Sequence, residues 1–350
     1  MRNKIFIIKA SLLIVLISSL GLTQEATWKE VTSGTSVGLR DVHFVNSTTG
    51  WVVGLNGKIL KTTDGGVNWS DQTSSVTNTG GAPTNLWGVN FVNANTGYAL
   101  GGDGLIIKTD DGGNNWNDIS PSKSNQSYVD VYFIDSNIGW AVGGGTVNIW
   151  KTTNGGSSWT SQNITGSNGE VFQSISFIDE DNGWVAGFFT DQTSGLFKTT
   201  DGGSNWTQVN TIGEATGSTI RSVQFINSNI GWISTSGGGI FATTDGGANW
   251  SLQKSVGSEI RKIHFIDSSN GWAVGFNGII LKTLDGGSNW STESSGVTGH
   301  LIDLYMYDAN NGWAVGQDGG LILKYSDTKS PTITSVSSPN ANGTYGNGDI

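Results

Sequence analysis

The chain contains no cysteine, only four prolines, three histidines and two methionines among its 350 residues. The missing thiols exclude disulfides, thiolate nucleophiles, cysteine-based zinc sites and a lipid-anchoring cysteine together. Scarce proline, with no glycine period of three, excludes collagen and proline-rich disorder, although glycine is abundant at 53 residues. Basic residues are outnumbered 18 to 28 by acidic ones, for a formal charge of −10, and no run of three lysines or arginines occurs. Removal of a leader containing Arg2, Lys4 and Lys9 makes the remainder more acidic still. Such a chain offers no electrostatic footprint for nucleic acid and no basic patch for an anionic membrane. Helical periodicity is absent after the first two dozen residues.

What is present is a phrase of nine residues that returns six times. It reads KTTDGGVNW at 61–69, KTDDGGNNW at 108–116, KTTNGGSSW at 151–159, KTTDGGSNW at 198–206, ATTDGGANW at 242–250 and KTLDGGSNW at 282–290. A glycine followed by an aromatic precedes each copy, at Trp51, Tyr98, Trp140, Trp184, Trp232 and Trp272, and once more at Trp313. These aromatics lie 40 to 48 residues apart. A period in the forties with β-type segments predicts a propeller, each repeat being one four-stranded blade.

Blade one reads as strands at 39–45, 51–55, 58–62 and 69–72, with Asn56-Gly57 as a hairpin signal. The last repeat, 301–326, supplies three strands and then lacks the DGGxxW phrase, whereas 27–31 (TWKEV) resembles the segment that follows that phrase. Pairing Trp28–Thr32 with the last repeat closes a ring of seven blades and leaves no open sheet edge. The expectation is therefore an all-β, seven-bladed propeller over 24–328, monomeric, with an N-terminal strand closing the last blade. Before it, 1–23 is expected to be a signal peptide: positive charges precede a weakly polar-to-apolar run from Ala10 to Leu22, of secretory length and short for a spanning helix. After it, 329–350 is expected to be a linker and the truncated start of a cell-surface β-sandwich-like module. These features predict export to a bacterial envelope, cell surface or medium.

The DGGxxW phrase resembles the Asp-box, or bacterial neuraminidase repeat, and the resemblance spans roughly 28–326. The acids at Asp64, Asp111, Asp201, Asp245 and Asp285, with Asn154 in the third copy, are expected to be structural. Asp or Asn at a turn accepts backbone N–H bonds, the next glycines take positive φ, and the Trp buries its ring between blades. Asn154 keeps the acceptor without the charge. The form GWAVGFNGIILKTLDGGSNW at 271–290 is similar to the photosystem II stability and assembly factor family of cyanobacteria and chloroplasts. That resemblance implies a non-enzymatic, seven-bladed scaffold that binds membrane-protein assembly intermediates and uses no cofactor or metal. The alternative is a glycan-binding or glycan-hydrolysing Asp-box protein of the sialidase or xyloglucanase kind. No sialidase-like FRIP motif precedes the boxes, and a xyloglucan-cleaving protein needs two rings with opposed acids.

The three arginines after the leader occupy one slot, the start of the first strand of blades one, five and six: Arg40 (LRDVHF), Arg221 (IRSVQF) and Arg261 (IRKIHF). Trp87, Val129, Gln173 and Ile302 hold that slot elsewhere. Ring closure makes blades five, six, seven and one contiguous, so the arginines are expected to form an arc near the channel mouth. The resemblance implies partner binding through an arginine patch, the partner expected being an acidic segment of an envelope protein. His43 and His264 fall on the other parity of these strands and are expected to pack rather than to bind metal; His300 lies in a Gly/Ser/Thr loop.

Overall fold

The computed structural model describes residues 27–72, 81, 83–121, 126–145, 148–162, 164, 171–188, 194–209 and 218–326; the expected leader and C-terminal module lie outside them. Each repeat folds as its local chemistry directs. In blade one the strands are Leu39–Phe44, Gly50–Gly54, Ile59–Thr62 and Ser70–Asp71. The turn between the second and third carries Asn56 at φ 56° and Gly57 at φ 68°, the left-handed pair that Asn-Gly tolerates. The outer strand is shorter than the sequence pattern predicts. Its residues are exposed, so little apolar surface holds more of it in the ladder.

Among the described residues, twenty-eight strands form five four-stranded sheets and one eight-stranded sheet, which is two sets of four joined only through Gly144 and Val171. The seven sets touch in order through their first strands, and the first strand of the last set, Leu301–Met306, meets that of the first, Leu39–Phe44. Closure uses the N-terminus: Thr27–Val31 pairs antiparallel with Ile322–Ser326, in register from Thr27–Ser326 to Val31–Ile322. The described residues all fall in one compact unit.

The core sits in the seams between blades, and the repeated aromatics build it. Six of the seven Gly-aromatic rings stack on the Phe ending the first strand of the next blade: Trp51 on Phe91 with centroids 3.5 Å apart, Trp184 on Phe225 at 3.7 Å, Trp313 on Phe44 at 3.4 Å, and likewise Tyr98, Trp140 and Trp232. The tryptophan of the DGGxxW turn meets that Phe edge-on, as Trp116 does Phe91 at 90°. The indole N–H of Trp51, Trp140, Trp232 and Trp313 donates to the first glycine carbonyl of the next blade's DGGxxW turn. At the last seam Met306 replaces the Phe and no DGGxxW turn follows. Trp28 from the closing strand fills the space there, 5.0 Å from Tyr325 and donating to Glu293 at 2.8 Å. Trp28 thus does for the last blade what the turn tryptophan does in the other six.

The glycine of the Gly-aromatic pair is required by close approach. A Cβ on Gly231 would stand 2.5 Å from the ring of Phe225, which the seam holds between Trp184 and Trp250. Gly231→Ala is therefore expected to destabilise by about 1–3 kcal/mol, the cost of overpacking a closed core. A thermal melt checks this, and an unchanged midpoint would mean that the seam can yield.

Candidate functional site

The first strands line the central channel, and a bulge in each decides which side chains reach it. Register shifts between Leu39 and Asp41, between Ile260 and Lys262, and at the matching point of every other blade. The extra residue breaks strict alternation. Residues 40, 41 and 43 of blade one therefore line cavities along the axis, while Leu39, Val42 and Phe44 bury themselves in a blade seam.

Three tiers result. The mouth tier is the slot holding the arginines, and it forms a vestibule of about 70 Å³ lined by Arg40, Trp87, Val129, Gln173, Arg221, Arg261 and Ile302. The structure brings all three arginines together, as expected from ring closure. Arg221 and Arg261 share one carboxylate oxygen: Glu259 Oε1 lies 2.9 Å from Arg221 Nε and 2.9 Å from Arg261 Nη1. Arg261 donates a hydrogen bond there, whereas the Arg221 Nε–H is at ion-pair distance but not aimed at the oxygen. Arg221 also donates to Gln173 at 3.4 Å. Arg40 is tied more loosely, donating to Gln317 at 3.5 Å, with its guanidinium 4.9 Å from the Trp87 ring centre. Burial, and then the charge of Arg261, pull both Arg40 and Arg221 below the ordinary arginine value.

Below the arginines runs a belt that sequence reasoning missed: Asp41, Gly88, Asp130, Ser174, Ser222, Lys262 and Asp303, one residue per blade. Most members latch their blade to the next. Val42 N–H donates to Asp303 (3.1 Å), Val89 to Asp41 (2.7 Å), Ile175 to Asp130 (3.0 Å), Val223 to Ser174 (3.2 Å) and Ile263 to Ser222 (3.4 Å). Lys262 completes the step to blade seven with Nζ 2.9 Å from Asp303. Gly88 has no side chain to reach across, so the seam from blade two to three lacks this latch. Burial, then the charge of Asp303, push the Asp41 carboxyl well above its usual range, and burial raises Asp130. Burial alone would lower Lys262, but Asp303, Asp130 and Asp41 outweigh it and hold the ammonium charged.

The third tier surrounds a chamber of about 150 Å³ that shares the belt as its wall. His43, Asn90, Ser176 and Gln224 repeat the latch by accepting the N–H of Phe91, Phe133, Phe225 and Phe265. His43 and His264 flank Tyr305, with ring centres 4.8 and 4.9 Å from it. Burial, then neighbouring positive groups, depress them to about 3 and about 4, so both are neutral imidazoles in a packed tier. The bulge puts them on the channel side with the arginines, rather than opposite. Among the described residues no group of three His, Cys, Asp or Glu is placed to hold a metal ion.

Asp64, Asp111, Asn154, Asp201, Asp245 and Asp285 sit at DGGxxW turns, and none of them lines the two axial cavities. Asp201 shows the pattern: Oδ1 accepts from Thr199 (2.9 Å) and Asn205 N–H (2.8 Å), and Oδ2 accepts from the Asn205 amide (2.7 Å). Asn154 accepts the same two bonds on Oδ1 and donates from Nδ2 to Ser158. Hydrogen bonds from Asn68 and Asn249 hold Asp64 and Asp245 down to about 2.

Cyclic contact between the blades, axial side-chain tiers and repeated turns define a β-propeller of BNR repeats. The sequence profile described as "Photosynthesis system II assembly factor YCF48" matches residues 21–125, 122–258 and 251–326, and the chain belongs to that family. No curated protein sequence matches it. Its fold is similar to a solved structure described as YCF48 bound to D1 peptide: TM-score 0.69, 21% identity, covering 85% of this chain and 96% of that one. YCF48 from Cyanidioschyzon merolae gives 0.70 at 23% identity, covering 86% and 99%. An ancestral GH74 enzyme shares the fold at 0.65 and 14% identity, covering 85% of this chain and 46% of that one.

Proposed function

We propose that this propeller is a non-catalytic scaffold that captures a peptide segment of another protein, with an acidic side chain of that segment docked on Arg40, Arg221 and Arg261. The observation that carries the reading is the convergence of three guanidinium groups at one channel mouth of an otherwise acidic chain. Arginine presents a planar fork of donors suited to carboxylates, and three forks on one rim of a chain of net negative charge concentrate positive potential there. A family relative is described as bound to a peptide, which is a partner of the same chemical kind. The acids deeper in the channel favour a scaffold over a glycan hydrolase. Asp41, Asp130 and Asp303 are engaged by backbone N–H groups and Lys262, rather than standing as an opposed acid and base. We further place the protein outside the cytoplasm, because the segment before residue 24 has signal-peptide character, and as a monomeric ring; N-terminal sequencing and sedimentation check these.

The test is binding to a panel of acidic and neutral peptides, a D1 peptide among them. Gln is the right replacement, because a glutamate here would add a like charge beside Asp41, Asp130 and Asp303 and confound binding with stability. The triple variant Arg40→Gln, Arg221→Gln, Arg261→Gln is expected to lose acidic-peptide binding at least tenfold, with each single change weaker. Binding should fall with salt, since exposed charges are screened beyond about 8–10 Å. Unchanged binding in the triple variant, or release of sialic acid or xyloglucan fragments by the purified protein, would overturn the reading.

A further inference from the structure

Glu259 stands at the rim of the arginine vestibule, immediately before the first strand of blade six. The equivalent positions in the other blades are Gly38, Asn85, Ser127, Val171, Thr219 and His300, so the acid is peculiar to one blade and not a requirement of the repeat. Its backbone is fixed, the carbonyl accepting Phe276 N–H at 3.0 Å. Its carboxylate reaches into the mouth, and a single oxygen sits 2.9 Å from both Arg221 and Arg261. Two of the three guanidinium groups are thereby taken up by one internal carboxylate, whereas Arg40 makes its direct contacts with a neutral amide and a ring face and feels the Asp318 carboxylate only through space.

This geometry differs from a bracing ion pair in two respects. A planar guanidinium satisfied by a carboxylate makes two parallel N–H···O bonds, whereas here neither arginine is held in that way and the Arg221 Nε–H points off the oxygen. The pair is also partly open to solvent, with 22% and 24% of the two arginine side chains and 13% of the Glu259 side chain exposed. A contact so made is a poor anchor and can be exchanged for a better one.

We infer that Glu259 is an internal competitor: its carboxylate occupies the place an incoming carboxylate of the partner takes, and it must swing out for Arg221 and Arg261 to engage that partner. This rests on the proposed peptide-binding reading and adds a gate to it. Glu259 sets the threshold of the site, so that a segment with a lone weak acid fails to displace it. A segment with several adjacent acids succeeds, because it pairs with Arg40 at the same time.

Affinity for a fluorescein-labelled Gly-Gly-Glu-Glu-Glu peptide is measured by anisotropy for the wild type, Glu259→Gln, Glu259→Asp and the triple arginine variant. Glu259→Gln should bind about tenfold tighter, with a steeper salt dependence, because two more arginines answer the peptide. Its melting temperature without peptide should fall, since two guanidinium groups lose their counter-charge, and peptide should raise it more than in wild type. Glu259→Asp, one methylene shorter, should lie between. If Glu259 merely braces the arginines, Glu259→Gln will bind more weakly as well as melt lower, and the inference falls. Arginine-dependent binding in wild type with no gain in Glu259→Gln overturns the gate and leaves the peptide reading standing. Arginine-dependent binding in Glu259→Gln alone supports the gate and refutes the peptide reading for the native chain. No binding in either overturns both.

Discussion

Deleting the strand Thr27–Val31 is expected to cost about 5 kcal/mol or more and to make the protein aggregate, since burying a tryptophan alone is worth about 3–5 kcal/mol. Trp28 is buried against Tyr325 and Leu323, and five residue pairs join the strand to Ile322–Ser326. Without it, Ile322–Ser326 becomes an exposed edge of unpaired N–H and C=O groups, and Glu293 loses its indole donor. Unlike the other blades, the last one has no DGGxxW turn to bring back a fourth strand of its own. The loss is read as a fall in the urea midpoint together with rising light scattering. Trp28→Ala should lose a large share of the stability but keep the edge covered, so it should destabilise without aggregation. A deletion variant that melts with the intact chain and stays clear would show that the ring does not depend on this closure.

Lys262→Met should be the most damaging single substitution in the channel. It leaves Asp41, Asp130 and Asp303 around the axis with no cation in their own tier, and removing one partner of a largely buried pair costs about 3–5 kcal/mol. The penalty depends on pH with a definite sign. The Asp41 and Asp130 carboxyls, held above their usual range, bind protons in the folded state while the unfolded chain, ionising near about 4, does not. Their penalty is therefore present above the raised folded values and disappears as pH falls toward about 4. The stability gap between Lys262→Met and wild type should narrow from neutral to mildly acid pH. Below about 4 both proteins should weaken, because the carboxylates of the DGGxxW turns contribute stability that is lost as pH falls toward about 2. The double change Lys262→Met, Asp303→Asn should recover part of the loss, since Asn still accepts the Val42 N–H. A single variant within about 1 kcal/mol of wild type at every pH would mean that the belt is not electrostatically coupled.

The arginine arc is legible in the amino-acid sequence. It follows from aligning the repeats and closing the ring, because equivalent positions in a propeller share one height on the axis. Glu259, by contrast, precedes its strand and looks like an ordinary loop acid. Nothing in its local sequence says that Arg221, 38 residues earlier, shares it. The belt escapes a sequence reading for a different reason. Strict alternation assigns residues 40 and 41 to opposite faces, and only the bulge turns both inward. Its members also differ in every way a repeat search would notice, running from Gly88 through Ser174 to Lys262. A signal is available in the fact that a polar or charged residue follows the mouth slot in six of the seven first strands, Gly88 being the exception.

The repeat, its period, the place of each glycine-aromatic pair and the need for an N-terminal strand are readable from the order of amino acids alone. Those are local requirements: a turn needs a left-handed residue, a seam needs a ring, and each blade states them anew within about forty residues. What lines the channel depends instead on the closed ring. Asp303 accepts from Val42 across 261 residues, and the charges of Lys262, Asp41 and Asp130 bear on one another only when the first and last blades meet. Their energies depend on burial and distance, which exist once the ring has closed and not in any single repeat.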